Sequence, residues 1–187
     1  MKQSSSFTVN YTGRVNALVV DVGLTDVYDP KSGGAQPAPM KFRSIWDTGA
    51  TNSVISKSVI QGLGLKPIGK SQTMTANGPR LADVYLVNFY LPNGVAFSAV
   101  RVTDGDLAGT DVLIGMDIIG VGDFSVTHED GKTCMSFRLP SCRKIDYVAE
   151  SRAYKRVLPQ PPDRVLSPEE AKAARDKHRD RRKRRGY

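Results

Sequence analysis

Cysteine is scarce in this 187-residue chain: Cys134 and Cys142 alone are too few for a scaffold held by disulfides. Two free or buried thiols in a reducing compartment are expected, with a single bridge as the alternative. Histidine is equally sparse. His128 and His178 lie in different segments, and the cysteines lack paired zinc-ligand spacing, so no metal and no cofactor are expected. No Gly-x-Ser-x-Gly and no Cys/His pairing offers a nucleophile. Also missing is any apolar run approaching the ~20 residues that cross a bilayer. The opening Met1-Lys2-Gln3-Ser4-Ser5-Ser6 is polar where a signal peptide would be apolar. A soluble, cytoplasmic protein without a membrane partner is the expectation.

Excess charge is missing from most of the chain as well. Residues 1–149 hold 14 Lys/Arg against 13 Asp/Glu, a net +1, whereas residues 150–187 hold 13 against 6, a net +7. The overall +8 therefore describes a tail. Leu158-Pro159-Gln160-Pro161-Pro162 reads as an extended connector. Ser167-Pro168-Glu169-Glu170 then has a helix-start pattern. The following segment, to about Arg184, has almost no apolar face, so a solvated helix or a disordered extension is expected. Its basic residues, 172–185, could neutralise the phosphates of nucleic acid or another polyanion, or be a solvated charge run.

The body does contain short strands and turn signals. Asn16 to Val27 is rich in valine and leucine and predicts a strand; Lys31 to Pro39 combines Gly and Pro and predicts a loop. Met40 to Trp46 predicts a second strand. Ser53 to Leu63 carries Val54, Ile55, Val59, Ile60 and Leu63 at roughly helical spacing, with Gly62, Gly64 and Pro67 to end it. Asn77-Gly78, Pro92-Asn93-Gly94 and Asp130-Gly131 each separate apolar runs and predict three hairpins. These signals together predict an all-β body with one or two short helical pieces. The literal P-loop pattern from Gly64 to Ser71 is set aside: a helical piece precedes it, a strand comes after it, and Pro67 removes an amide the phosphates would need. Asp104, Asp106 and Asp111 form an acidic loop, read as solvated rather than as a cation site.

The chemistry centres on Trp46-Asp47-Thr48-Gly49-Ala50 at the end of the second strand. Three residues alone fit equally well a structural role, in which Asp47 caps the adjoining turn or helix. A carboxylate that activates water needs a second carboxylate beside it with one proton shared, because like charges that close cannot both ionise. Small residues after Asp47 suit such a site, since Gly49 lets backbone and substrate approach closely.

The chain resembles the retropepsin family of aspartic proteases from about Asn16 to Pro140. The Asp47-Thr48-Gly49-Ala50 loop, the Asn77-Gly78 hairpin where that family has its flap, and Leu113-Ile114-Gly115 with Met116-Asp117-Ile118-Ile119 carry the resemblance in order. It implies an all-β, closed, barrel-like body with a flap hairpin and short helices over residues 16–140. An N-terminal arm, 1–15, and a connector with basic tail, 141–187, would flank it. It further implies Asp47 as the catalytic carboxylate and Thr48, Gly49 and Ala50 as its loop. Thr75, Ala76, Asn77 and Gly78 would be flap residues that contact substrate, with Ile114 and Gly115 as loop supports. A second Asp-Thr/Ser-Gly is missing, so activity on a polypeptide would need a homodimer that joins two copies of Asp47. The alternative is a catalytically silent module of the same fold, anchored by its tail. Two departures stand out. Thr51 and Asn52 replace the acidic residues usual in the viral enzymes, and Met116-Asp117 replaces their Arg, which suggests the cellular and bacterial branch and removes an Arg–Asp support.

Overall fold

Alternation of exposed and buried side chains along Ser5–Asn10, with Phe7 turned inward, makes the first strand, β1. The computed structural model describes residues 4–28, 31, 35–75, 78–153 and positions 167, 169 and 172. It divides into two units, residues 1–143 and 144–187. In the first, β1 pairs antiparallel with β10 (Lys132–Leu139), which pairs antiparallel with β9 (Asp123–Glu129). Residues 1–15, expected as an arm, thus supply a strand to a three-stranded sheet, with Phe7 facing Phe137.

The remaining strands of this unit close on themselves. β2 (Leu18–Asp26) pairs with β3 (Met40–Trp46), and β3 runs parallel to β8 (Val112–Ile114). β8 is antiparallel to β4 (Val54–Ile55), and β4 runs parallel to β7 (Ala96–Asp104). β7 returns antiparallel to β6 (Gly78–Tyr90), whose far end pairs with β2 and completes the ring. β5 (Gly69–Thr75) hangs outside the ring on β6 alone. The result is a mostly-β, mixed, ringed sheet. A bulge bends its wall where the register slips between Val87 and Phe89. There Ala99 takes φ 52°, and the Asn88 side chain accepts from the Ala99 amide (2.9 Å) while donating to Thr25 Oγ1 (3.1 Å). The amide left unpaired by the extra residue is satisfied inside the wall.

The helix expected over Ser53–Leu63 is shorter. α1 spans Lys57–Leu63, and Val54–Ile55 belongs to β4 instead. Ile55 is fully buried and its backbone is used by two sheet neighbours, which outweighs the helical spacing of the apolar residues. At the other end the expectation holds: Gly64 takes φ 64° and its amide reaches back to Gln61. The Gly64–Ser71 segment runs into β5, with no helix after it. The three hairpins form as expected, with Asn93, Gly94, Asp130 and Gly131 at positive φ. Cys134 and Cys142 are both free thiols.

In the second unit α3 (Tyr147–Ala153) is capped by Asp146, whose carboxylate accepts from the amides of Val148 (3.1 Å) and Ala149 (3.0 Å). Among the described residues no helix is long and apolar enough to cross a membrane. The expected connector and tail helix lie outside the described residues, isolated positions apart.

Candidate active site

Strands β3 and β8 run parallel with Trp46 beside Ile114, and both leave the sheet at that level. The Asp47 amide still donates to the Ile114 carbonyl (2.9 Å), so the chain turns only after the aspartate's own backbone is fixed. Trp46 supplies the anchor. It is buried, stacks on Phe124 (ring centroids 5.6 Å apart), meets Phe7 edge-on (5.8 Å) and packs on Phe137 (5.2 Å). These rings come from all three strands of the smaller sheet and clamp the base of the loop. The Trp46 indole N–H has no partner among the described residues. Asp47 is half-buried, whereas Thr48 and Gly49 are exposed. One carboxylate oxygen of Asp47 accepts from the Gly49 amide (2.8 Å), and the Ala50 amide closes the turn on the Asp47 carbonyl (3.3 Å). The four loop residues expected from the sequence are therefore adjacent at one end of the ring, against Ile114 and Gly115.

Behind this loop lies α2 (Met116–Ile119), a single turn entered through Gly115. The Met116 amide donates to Ala50 (2.8 Å) and the Asp117 amide to Thr51 (3.1 Å). Contact is so close that a Cβ at Gly115 would fall 2.7 Å from the Asn52 carbonyl carbon and oxygen and 3.0 Å from the Ala50 oxygen. Gly115 has an ordinary extended backbone, φ −99°, so it is needed for room, not for its torsions. The Asp117 carboxylate accepts from the Ser53 amide (2.9 Å), the Ser53 hydroxyl (2.8 Å) and the Ile118 amide (3.0 Å). The Ser53 hydroxyl in turn accepts from the Gly115 amide (3.1 Å). Sequence reasoning registered the lost arginine here but missed this replacement. The available signal was a lone acid in the apolar run Leu113–Ile119.

The β5–β6 hairpin supplies the second expected element. Thr75 pairs with Gly78, which takes φ 104°. Ala76, Asn77 and the side chain of Thr75 lie outside the described residues. One face of the hairpin turns to the body through Ala82 and Val84, both fully buried; the other carries Met74 (81% exposed) and Leu81 (64%). Asp104, at the end of β7, fastens the hairpin to the ring. Its carboxylate pairs with the Arg80 guanidinium and accepts from the Asp83 amide (2.7 Å), and its carbonyl accepts a further Arg80 N–H (3.1 Å). Asp83 binds Lys70 across the hairpin (2.7 Å), which raises the Lys70 pKa.

Asp111 accepts from the Arg43 amide (3.1 Å) and the Ser58 hydroxyl (2.9 Å), so two of the three loop acids do structural duty. Among the described residues, no three His, Cys, Asp or Glu side chains are grouped to hold a metal ion.

An Asp-Thr-Gly turn thus stands beside a hydrophobic-hydrophobic-Gly strand at one end of a closed mixed β ring. The family model for aspartyl proteases matches residues 34–118. Similar solved structures include a retropepsin-like aspartic protease from Rickettsia conorii (15% identity, 73% of this chain and 95% of that one, TM-score 0.47). The retroviral protease-like domain of Ddi1 from Leishmania major is also similar (15% identity, 71% and 99% covered, TM-score 0.36). So is the simian foamy virus protease (16% identity, 55% and 92% covered, TM-score 0.36). No curated protein matches the chain.

Proposed function

We propose that the protein is an aspartic endopeptidase whose dyad is two copies of Asp47 brought together across a homodimer. The observation that carries this reading is the pairing of a half-buried Asp47, fixed through its amide and one carboxylate oxygen, with an exposed Thr48 beside it. A single protomer holds one such carboxylate at a surface, which suits a site completed by a two-fold partner. In the pair, one ionised Asp47 takes a proton from water as the oxygen adds to the scissile carbonyl carbon. The other, protonated, donates to the carbonyl oxygen. Collapse of the tetrahedral diol then expels the amine, which takes a proton from one Asp47 while a diol hydroxyl returns its proton to the other. Thr48 would bond across the two-fold. The 73–83 hairpin would cover an extended substrate, whose backbone would pair with Gly49 of the loop and with Thr75, Ala76, Asn77 and Gly78 of the hairpin. The chemistry needs no metal or cofactor. The basic residues 172–185 would hold a polyanion such as nucleic acid, and that binding should weaken steeply with salt.

Purified protein incubated with an unfolded polypeptide at mildly acidic pH should cleave it, and a pepstatin-type inhibitor should block cleavage. Asp47→Asn should abolish activity with an unchanged melting temperature. Wild-type protein inert from about pH 3 to pH 8 at dimer-forming concentration would replace this reading by a silent module of the same fold.

A further inference from the structure

Ser53 is fully buried, yet both its backbone N–H and its hydroxyl are spent on one carboxylate, that of Asp117, which lies on a different strand–helix junction. The pairing is bidentate, with Oδ2 on the amide and Oδ1 on the hydroxyl. Because the Ser53 hydroxyl also accepts from Gly115, the three residues form a continuous relay, Gly115 N–H to Ser53 O–H to Asp117 carboxylate. This relay holds the far end of the loop that begins at Asp47. The near end is held by Ile114, and the middle by the bonds from the Met116 and Asp117 amides to Ala50 and Thr51. Removing the hydroxyl would leave the buried Gly115 N–H without an acceptor, and buried orphans are expensive.

We infer that Asp117, acting through Ser53, is a positioning residue that sets the placement of Asp47, and so the separation of the two carboxylates in the dyad. The inference rests on the proposed proteolytic reading for its kinetic consequences, but not for its structural one. Separation matters because it fixes how strongly the two acids repel. Close carboxylates titrate with widely split apparent pKa values, and the singly protonated, working form fills the interval between them. Loosening the loop lets them drift apart and weakens that repulsion, which narrows the interval from its upper edge.

The test compares wild type, Ser53→Ala and Asp117→Asn in the full-length protein. Asn at 117 keeps size and shape but turns an amide NH2 toward one of the Ser53 donors. Amide hydrogen exchange is measured first. Exchange across Gly49–Ser53 and at Gly115 should accelerate on the order of tenfold or more in both variants, while the Met135 and Phe137 amides in β10 stay as slow as in wild type. Kinetics come second: kcat should fall on the order of 10- to 100-fold with KM nearly unchanged, and the pH–rate bell should narrow. Unchanged loop exchange overturns the inference whatever the kinetics. Faster exchange with kcat and bell width intact overturns it too, since the network would then be structural only. Wild type without activity sinks the proteolytic reading instead, and the exchange data alone then decide whether Asp117 holds the loop.

Discussion

The Asp47 loop and the β5–β6 hairpin both project from the ring, but opposite means hold them. The loop is bound at every turn: by Ile114 at its start, Met116 and Asp117 in its middle, Ser53 at its end, and an aromatic cluster beneath Trp46. The hairpin has its buried residues only near its base, and it leans on one aspartate, Asp104. On the proposed reading, a group that meets a twin carboxylate within a fraction of an ångström gains from the first arrangement. On the same reading, an element that admits a chain and covers it gains from the second. The difference lies in residue placement: Ser53 and Gly115 are buried and small, whereas Met74 and Leu81 are large and exposed.

Truncations should separate the two regions most sharply. Trp46→Ala should cost about 3–5 kcal/mol in urea denaturation, as for a buried aromatic, while Leu81→Ala should stay within about 0.5 kcal/mol. Equal losses would erase the contrast. Next in size are the glycines. Gly115→Ala should cost about 1–3 kcal/mol, because the new methyl meets the Asn52 and Ala50 backbone. At Gly78 a Cβ meets nothing within 4 Å, and the positive φ alone should cost about 1 kcal/mol. If Gly78→Ala proves the more harmful to stability, the loop is less tightly packed than its contacts indicate.

Smaller still is the latch. Arg80 is 42% exposed, so Arg80→Ala should change stability by under about 1 kcal/mol. Its expected signature is in catalysis, a KM raised by up to about fivefold for a peptide substrate, matching the energy of such a pair. A stability loss with unaltered KM would make Arg80 a scaffold residue. The smallest effect concerns acid. Asp123 is held down to about 2 by the Ser141 hydroxyl, then by Arg138 and the Cys142 amide. Its folded pKa lies below the ordinary value of 3.8, so its contribution is present above about pH 4 and lost as pH falls toward 2. Asp123→Asn should flatten that stretch of the stability curve, measured by urea midpoints, and the two proteins should converge near pH 2.

Much of the fold was legible because the signals are local. The turns at Asn93-Gly94 and Asp130-Gly131 require positive φ, and the residue types announce it. Met40–Trp46 ends where Asp47-Thr48-Gly49 begins. The features that escaped are long-range. A two-residue strand such as β4 has no periodicity to read, and its apolar residues imitate a helix face. The pairing of Phe7 with Phe137 joins residues near opposite ends of the first unit, so no local pattern marks β1 as part of a sheet. The Ser53–Asp117 contact spans 64 residues; the sequence shows only an arginine missing, not the acid that takes over the support.

The course of β6 bears on how a chain could enter the site. Its residues Gly78–Asp83 pair with β5 alone, and Val84 is the first to meet β7 as well, opposite Thr103. The hairpin arm and the barrel stave are one unbroken strand of 13 residues, about 40 Å long. No break in β6 offers a hinge, so the hairpin behaves as a cantilever clamped where β7 ends, beside Asp104. Lifting it would store elastic strain in the strand rather than release a slack loop, and the spring would favour return over the bound chain.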